Sequence, residues 1–472
     1  MKLGLSRPRK IGVLALVAAI YAMVAGGPFG LEEIVAGSGY GGAILVLCLT
    51  PLLWAVPTTL MVSELASALP ETGGFYVWVR RALGPFWGFQ ECWLSFAGSI
   101  FDMALYPILF SAYLTHLVPA LGRGVLPFAI GALMILFCVL LNMLGTRAVG
   151  DSSVVLVLFL LAPFAFLIAR AIGLTELVGP HAVPVVAPAA FTRTDALGGI
   201  LIAMWNYMGW DNASTIAGDV RNARRAYSRA MLLSLVLVIA TYIAPILAMA
   251  HARIPLSSWE TGSWVNLAAL LGGPRLAFFM TAAALAAALT TFNALVLSLS
   301  RLPYAMARDG FLPRAFAREN RFGAPWVAIV VCACFWTGAM VLGFERTVML
   351  DVLLTGLSIL LEFAALIALR IKEPELKRAY RVPGGAAGLV LVTAPPAALI
   401  VIACVRNHSE HIGPFNALTV GVGLVLLGAA LYFAGSLRRV EAQGAEVEQG
   451  VDLHQSMDAG QSVDAGKSLD AD

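Results

Sequence analysis

Apolar residues run through this chain in long blocks, separated by short polar or basic stretches. A helix that crosses a bilayer needs about 20 apolar residues. Applied along the chain, that rule predicts about twelve spans, at roughly 11–36, 41–66, 84–117, 125–144, 152–173, 196–218, 230–252, 274–299, 326–343, 348–370, 386–405 and 414–436. The expected fold class is an all-α polytopic membrane protein, with a cytoplasmic N-terminus at 1–10, a transmembrane domain at 11–436 and a disordered cytoplasmic tail at 437–472.

Composition strengthens this reading. Of 472 residues, 60% are hydrophobic and 12% charged, against about 25% charged in soluble domains. The net charge of +3 is too small to suggest a nucleic-acid partner. With the amino terminus inside, most of the 31 Lys and Arg fall on inner segments, as the positive-inside rule requires. Both termini are then expected in the cytoplasm of a cell with this protein in its plasma or inner membrane. The basic start "MKLGLSRPRK" precedes an apolar run too long for a cleaved signal peptide. The six cysteines all lie in apolar segments without zinc-ligand spacing, so no metal is expected. The tail repeats Ser-x-Asp-Ala without an apolar face, and its "GKS" lacks the glycine spacing and strand of a phosphate loop.

Two spans contain faults. The first holds "AGGPFGLEE", with Gly26, Gly27, Pro28, Phe29 and Gly30 followed by Glu32 and Glu33. Glycines and a proline at this density should unwind the helix near mid-membrane. Free backbone groups are tolerable there only against protein or a wet cavity. The sixth span holds "WNYMGWDN", with Gly209 among Asn206, Asp211 and Asn212. Paired breaks five spans apart point to a transporter site between inverted repeats, expected at about 11–173 and 196–370 with two further helices at 386–436.

Ionisable groups inside spans are functional candidates. Here they are Glu32, Glu33, Glu64, Glu91, Asp102, Asp211, Asp351 and Glu362. Glu91 and Asp102 are eleven residues apart, which at 100° per residue brings them to one helix face; Tyr106 follows one turn later. Asp351 and Glu362 repeat that spacing. Glu33 and Asp351 could also sit at membrane interfaces, and Glu64 and Glu362 could pair with loop arginines. Trp205, Tyr207 and Trp210 bracket the second break, and aromatic faces attract ammonium groups. An excess of buried carboxylates suits a cationic substrate or a proton.

These motifs resemble the amino acid–polyamine–organocation (APC) transporter superfamily, in particular the plant and trypanosomatid polyamine uptake branch. The resemblance rests on "GGPFGLEE", "ELASALPETGGFYVWVRRALGPFWGFQE", "DMALYPILF", "WNYMGWDNASTIAGDVRNARR", "ARDGFLP" and "LLEFAALIALRIKEPELKRAYRVPGG". It implies a LeuT-like fold of five plus five inverted-repeat helices, alternating access and proton-coupled uptake. It implies substrate binding by Gly26, Gly27, Pro28, Phe29, Gly30, Glu32, Glu33, Asp102, Tyr106, Trp205, Asn206, Tyr207, Trp210 and Asp211. Glu32, Glu91 and Glu362 are the proton-coupling candidates. Two departures stand out. Ser111 and Ala112 replace an acidic residue of the plant members, and "LTTFNALVLSLSRLPYAMARDGFLP" is closer to general amino acid permeases.

The expected function is import of polyamines or related organic cations with protons; the alternative is a proton-coupled amino acid permease. The partners are then a small-molecule substrate, protons and the lipid bilayer, with no cofactor and the oligomeric state open. The six histidines, at 116, 181, 251, 408, 411 and 454, are scattered and form no catalytic set, so no enzyme activity is expected.

Overall fold

A computed structural model describes residues 13–70, 74–144, 152–178, 195–212, 214, 223–406, 411–412, 415–416 and 418–436. The N-terminus at 1–10, the tail at 437–472 and residues 213 and 215–218 of the sixth span lie outside the described residues.

The described chain is helical apart from a two-residue antiparallel pairing of His411–Ile412 with Phe415–Asn416. Its helices are α1 (Val13–Val24), α2 (Glu32–Thr50), α3 (Val56–Ala68), α4 (Gly74–Leu83), α5 (Pro85–Leu117), α6 (Leu126–Met143), α7 (Ser152–Val178), α8 (Asp195–Asn206), α9 (Ala223–His251), α10 (Trp264–Leu299), α11 (Arg301–Arg308), α12 (Trp326–Ala339), α13 (Phe344–Lys372), α14 (Gly385–Arg406) and α15 (Leu418–Ser436). Among the described residues, nine helical stretches are long and apolar enough to cross a membrane, and Trp326–Leu342 is a shorter apolar one. The 12-residue helices α1 and α8 fall below that length because each stops at a break.

The breaks follow from local chemistry. Beyond Val24, Gly26, Gly27 and Gly30 take φ of +58°, +105° and +85°, a region that side-chain-bearing residues rarely enter. The helix restarts at Glu32, and Glu32 and Glu33 in its first turn suit the positive end of the helix dipole. A second departure at Gly39 (φ +67°) separates this short helix from the long span that runs on through a π-helical turn at Pro51–Ala55 into α3. On the other side, α8 ends at Asn206 and Gly209 takes φ +89°. A Cβ on Gly209 would lie 3.0 Å from the Met23 carbonyl oxygen and 3.7 Å from Val24 Cα. The two breaks therefore touch, and Gly209 is small enough to let them.

Long helices brace this crossing. α5 has 33 residues, about 50 Å at 1.5 Å per residue, so it exceeds the roughly 30 Å hydrocarbon core. It packs along α13 where Gly98 faces Thr355; a Cβ there would lie 2.4 Å from Thr355 Oγ1. α10 bends at Gly273 (φ +73°), immediately before Pro274, so its long segment begins where the sequence places the eighth span. Between the second and third spans, α4 is amphipathic: Phe75, Trp78, Val79 and Ala82 are buried, whereas Arg81 is exposed. Large apolar side chains such as Leu133, Leu158, Val236, Phe278, Leu391 and Leu426 are exposed around the perimeter. An apolar surface on this scale matches hydrocarbon rather than water.

Candidate functional site

The two breaks, α5 and α13 surround a cavity of about 100 Å³. From the first break and its flanks come Met23, Ala25, Gly26 and Phe29. The second break supplies Trp205, Asn206, Met208, Gly209 and Asp211. From α5 come Ser95, Ser99, Asp102, Tyr106, Leu109 and Tyr113, spaced by three or four residues so that they share one face. α13 adds Asp351 and Thr355, and α10 adds Thr291. Three carboxylates thus line one cavity, and no Lys, Arg or His lines it among the described residues.

Each aspartate is held differently. Asp102 Oδ1 accepts from Trp205 Nε1 at 3.1 Å and from the Tyr106 hydroxyl at 3.4 Å. Asp351 Oδ1 accepts from Thr355 Oγ1 at 2.8 Å, one turn along α13. Asp211 is buried, and its Oδ1 has no hydrogen-bond partner among the described residues. Aromatic faces complete the wall. The Trp205 ring lies 6.5 Å from Tyr106 and 5.7 Å from Phe344, and Phe29 packs edge-on to Tyr113 at 5.1 Å. A pocket with anionic oxygens and π-faces is chemically suited to ammonium groups.

Of the residues expected to bind substrate, Gly26, Phe29, Asp102, Tyr106, Trp205, Asn206 and Asp211 line the cavity. Gly27, Pro28, Gly30, Tyr207 and Trp210 stand behind its wall and hold the breaks in shape. The Gly30 amide donates to the Tyr113 hydroxyl at 3.1 Å, and Trp264 Nε1 donates to the Pro28 carbonyl at 2.9 Å. Tyr207 donates to the Leu47 carbonyl, and Trp210 Nε1 donates to the Tyr207 carbonyl.

Neither glutamate after the first break lines the cavity. Glu32 is fully buried and accepts from the Tyr113 hydroxyl at 2.6 Å and the Gly262 amide at 3.2 Å. Glu33 accepts from the Thr261 amide at 3.0 Å and from the Thr261 hydroxyl. Both tie α2 to the loop ahead of α10; Tyr113, which lines the cavity, links Glu32 to it.

Glu91 is on the same α5 face as Ser95 and Asp102, and it accepts from Ser95 and Ser358 at 3.1 and 2.5 Å. It lies outside the cavity lining. Glu64 pairs with arginines, as its position suggests: Arg370 Nε donates to it at 2.8 Å, Arg378 Nε lies 3.2 Å away, and the Val382 amide donates at 2.7 Å. Glu362 differs from that expectation, since both its oxygens are buried without a partner among the described residues. Asp351 and Thr355 are wall residues that the expected set omits. Their signal was the buried acid in an apolar run, repeated by Glu362 eleven residues on.

A helical membrane protein with an acidic cavity at two touching helix breaks is the class these features define. Residues 11–434 match the amino acid permease family. The chain is 34% identical over 444 residues to polyamine transporter PUT1 of Oryza sativa subsp. japonica, covering 92% of this chain and 80% of that one. It is 33% identical over 428 residues to polyamine transporter RMV1 of Arabidopsis thaliana, covering 88% and 84%. To the serine/threonine exchanger SteT of Bacillus subtilis (strain 168) it is 25% identical over 386 residues, covering 79% and 86%. The chain belongs to the amino acid permease family of the APC superfamily. It is a multi-pass membrane transporter, not an enzyme.

Proposed function

We propose that this transporter imports polyamines or related organic cations, coupled to protons, by alternating access around the two breaks. The observation that carries this reading is the cavity wall: Asp102, Asp211 and Asp351 with Tyr106 and Trp205, and no basic side chain among the described lining residues. Amine groups bind the aspartates and rest on the rings. A substrate carboxylate would meet three acidic side chains and no cation among the described lining residues, which disfavours a zwitterion held by that end. The names of the rice and Arabidopsis relatives support the same substrate class.

Alternating access follows from the joint between the breaks. Rocking of one inverted repeat against the other would pivot where Gly209 meets Met23 and Val24. The ties from Glu32 and Glu33 to Thr261–Gly262 close one side. The Glu64–Arg370 and Arg81–Glu373 pairs secure the other. The protein works in the cell membrane with both termini in the cytoplasm.

A second reading, proton-coupled amino acid transport, has the exposed backbone at Gly26 and the relationship to the serine/threonine exchanger in its favour. Uptake into proteoliposomes under an imposed proton gradient separates the two. Saturable putrescine or spermidine uptake supports the first; amino acid uptake with no polyamine signal overturns it.

A further inference from the structure

The cavity accounts for Asp102, Asp211 and Asp351, ion pairing for Glu64, and hydrogen bonds from Tyr113 and Gly262 for Glu32. Glu91 and Glu362 remain. Both are fully buried, on facing helices α5 and α13. Ser358 bridges the seam: its hydroxyl donates to Glu91 Oε1 at 2.5 Å and contacts Ser95 Oγ at 2.8 Å. Glu362 follows Ser358 by one helical turn. Glu91 Oε2 and both oxygens of Glu362 have no partner among the described residues.

Among the described residues, no positive charge acts on either glutamate. The charged groups acting on Glu362 are Asp211 and Glu91, and Asp211 acts on Glu91. On α5 the other titratable neighbours are Cys92 and Asp102. From α4, Arg81 pairs with Glu373 and Arg80 Nη1 donates to the Tyr76 hydroxyl at 3.2 Å. From α3, Glu64 is matched to Arg370 and Arg378, and Lys372 at the end of α13 donates to the Ala82 carbonyl. α15 packs on α5 through Trp93 and Gln90 and has no charged residue.

An uncompensated buried carboxylate is far more costly than a neutral carboxyl. Glu64 shows what this fold does with an acid that stays ionised: it gives it two arginines and a backbone amide. Among the described residues, Glu91 receives hydroxyls and Glu362 nothing.

We propose that Glu91 and Glu362 form the proton-carrying site of the transport cycle, distinct from the cavity aspartates and linked to them through Asp211. This rests on the proton-coupled reading above. A proton enters from water on one side, resides on a carboxylate oxygen of the pair, and returns to water on the other side. The Ser358 hydroxyl, both donor and acceptor, can relay it between Glu91 and Ser95. A cation at Asp211 changes the field on both glutamates, so substrate and proton occupancy sense each other without contact. Glu32 is left to the Thr261–Gly262 closure.

The test uses the full chain in proteoliposomes with labelled putrescine. Two quantities are compared: accumulation driven by a proton gradient, and counterflow at equal pH, which needs no net proton movement. Glu362→Gln and Glu91→Gln are expected to lose driven accumulation and retain counterflow. Asp102→Asn is expected to lose both. Ser358→Ala should keep coupling with a shifted pH profile. If a Gln variant is not monodisperse, Glu362→Asp, which keeps the acid, is expected to retain coupling. Driven accumulation of wild-type size in Glu362→Gln overturns the proposal. If the wild type accumulates an amino acid instead, the polyamine reading fails, and the variants are judged with that amino acid. If wild-type transport ignores the gradient, the proton site fails while the substrate reading stands.

Discussion

Trp205 Nε1 donates to Asp102 Oδ1 at 3.1 Å, joining the second broken helix to α5 directly over the cavity. The indole thereby fixes the orientation of a carboxylate that lines the cavity. A hydrogen bond to a charged group contributes about 1.5–3 kcal/mol, and 1.4 kcal/mol is about tenfold in an equilibrium constant. Trp205→Phe keeps an aromatic face and removes the donor. It is expected to weaken substrate affinity by about tenfold, read as a raised KM for uptake in a protein that still folds. An unchanged KM would assign the contact to packing alone.

Arg370 and Glu64 are both buried; the Arg370 guanidinium donates two hydrogen bonds to the Glu64 carboxylate and a third to the Val382 carbonyl. Arg370→Met strips the main counter-charge from a fully buried carboxylate. Breaking such a pair costs about 3–5 kcal/mol, so the thermal midpoint in detergent should fall sharply. Adding Glu64→Gln should recover part of the loss. A double variant no better than the single one would mean that the carboxylate was not the source of the damage.

Gly98 lets α5 meet α13 at the cavity wall. A Cβ there would lie 2.4 Å from Thr355 Oγ1 and 3.5 Å from Asp351 Oδ1. Gly98→Val should displace Thr355 and Asp351, with an overpacking cost of about 1–3 kcal/mol and most transport lost. Thr355→Ala in the same chain should restore some uptake by removing the obstructing hydroxyl. No rescue would place the clash on the backbone.

The Arg81–Glu373 bridge, 2.7 Å long and part-exposed, gives a pH test outside the membrane. Hydrogen bonding and charge from Arg81 hold the Glu373 carboxyl below the ordinary glutamate range. Its contribution is therefore full above the unfolded-state pKa and is lost as pH falls through the lower folded-state value. Glu373→Gln should lower the melting temperature at neutral pH and leave it unchanged once both states are protonated. A difference that persists in acid would point to something other than the ion pair.

Much of this arrangement was legible where the backbone itself is unusual. Gly26 to Gly30 and Gly209 announce breaks because helical φ is what those residues least enforce, and both breaks are present. The Gly273–Pro274 bend marks the start of the eighth span for the same reason. What could not be read was distance along and between helices. Glu32 and Glu33 both turn to Thr261–Gly262, about 230 residues away, rather than to the cavity. Asp351 could equally have been interfacial by sequence, and it lies in the cavity wall because α13 meets α5 at Gly98. Glu362 could have met a loop arginine, but Arg370 is taken by Glu64. The amphipathic α4 is too short and too polar to register as a span.

The central claim is that Asp102, Asp211 and Asp351 make a cation site. Equilibrium binding of labelled spermidine to the purified protein tests it most directly. The account predicts saturable binding that putrescine displaces, that serine and leucine leave untouched, and that Asp102→Asn weakens at least tenfold. Displacement by neutral amino acids but not by putrescine, or full binding in Asp102→Asn, would contradict it.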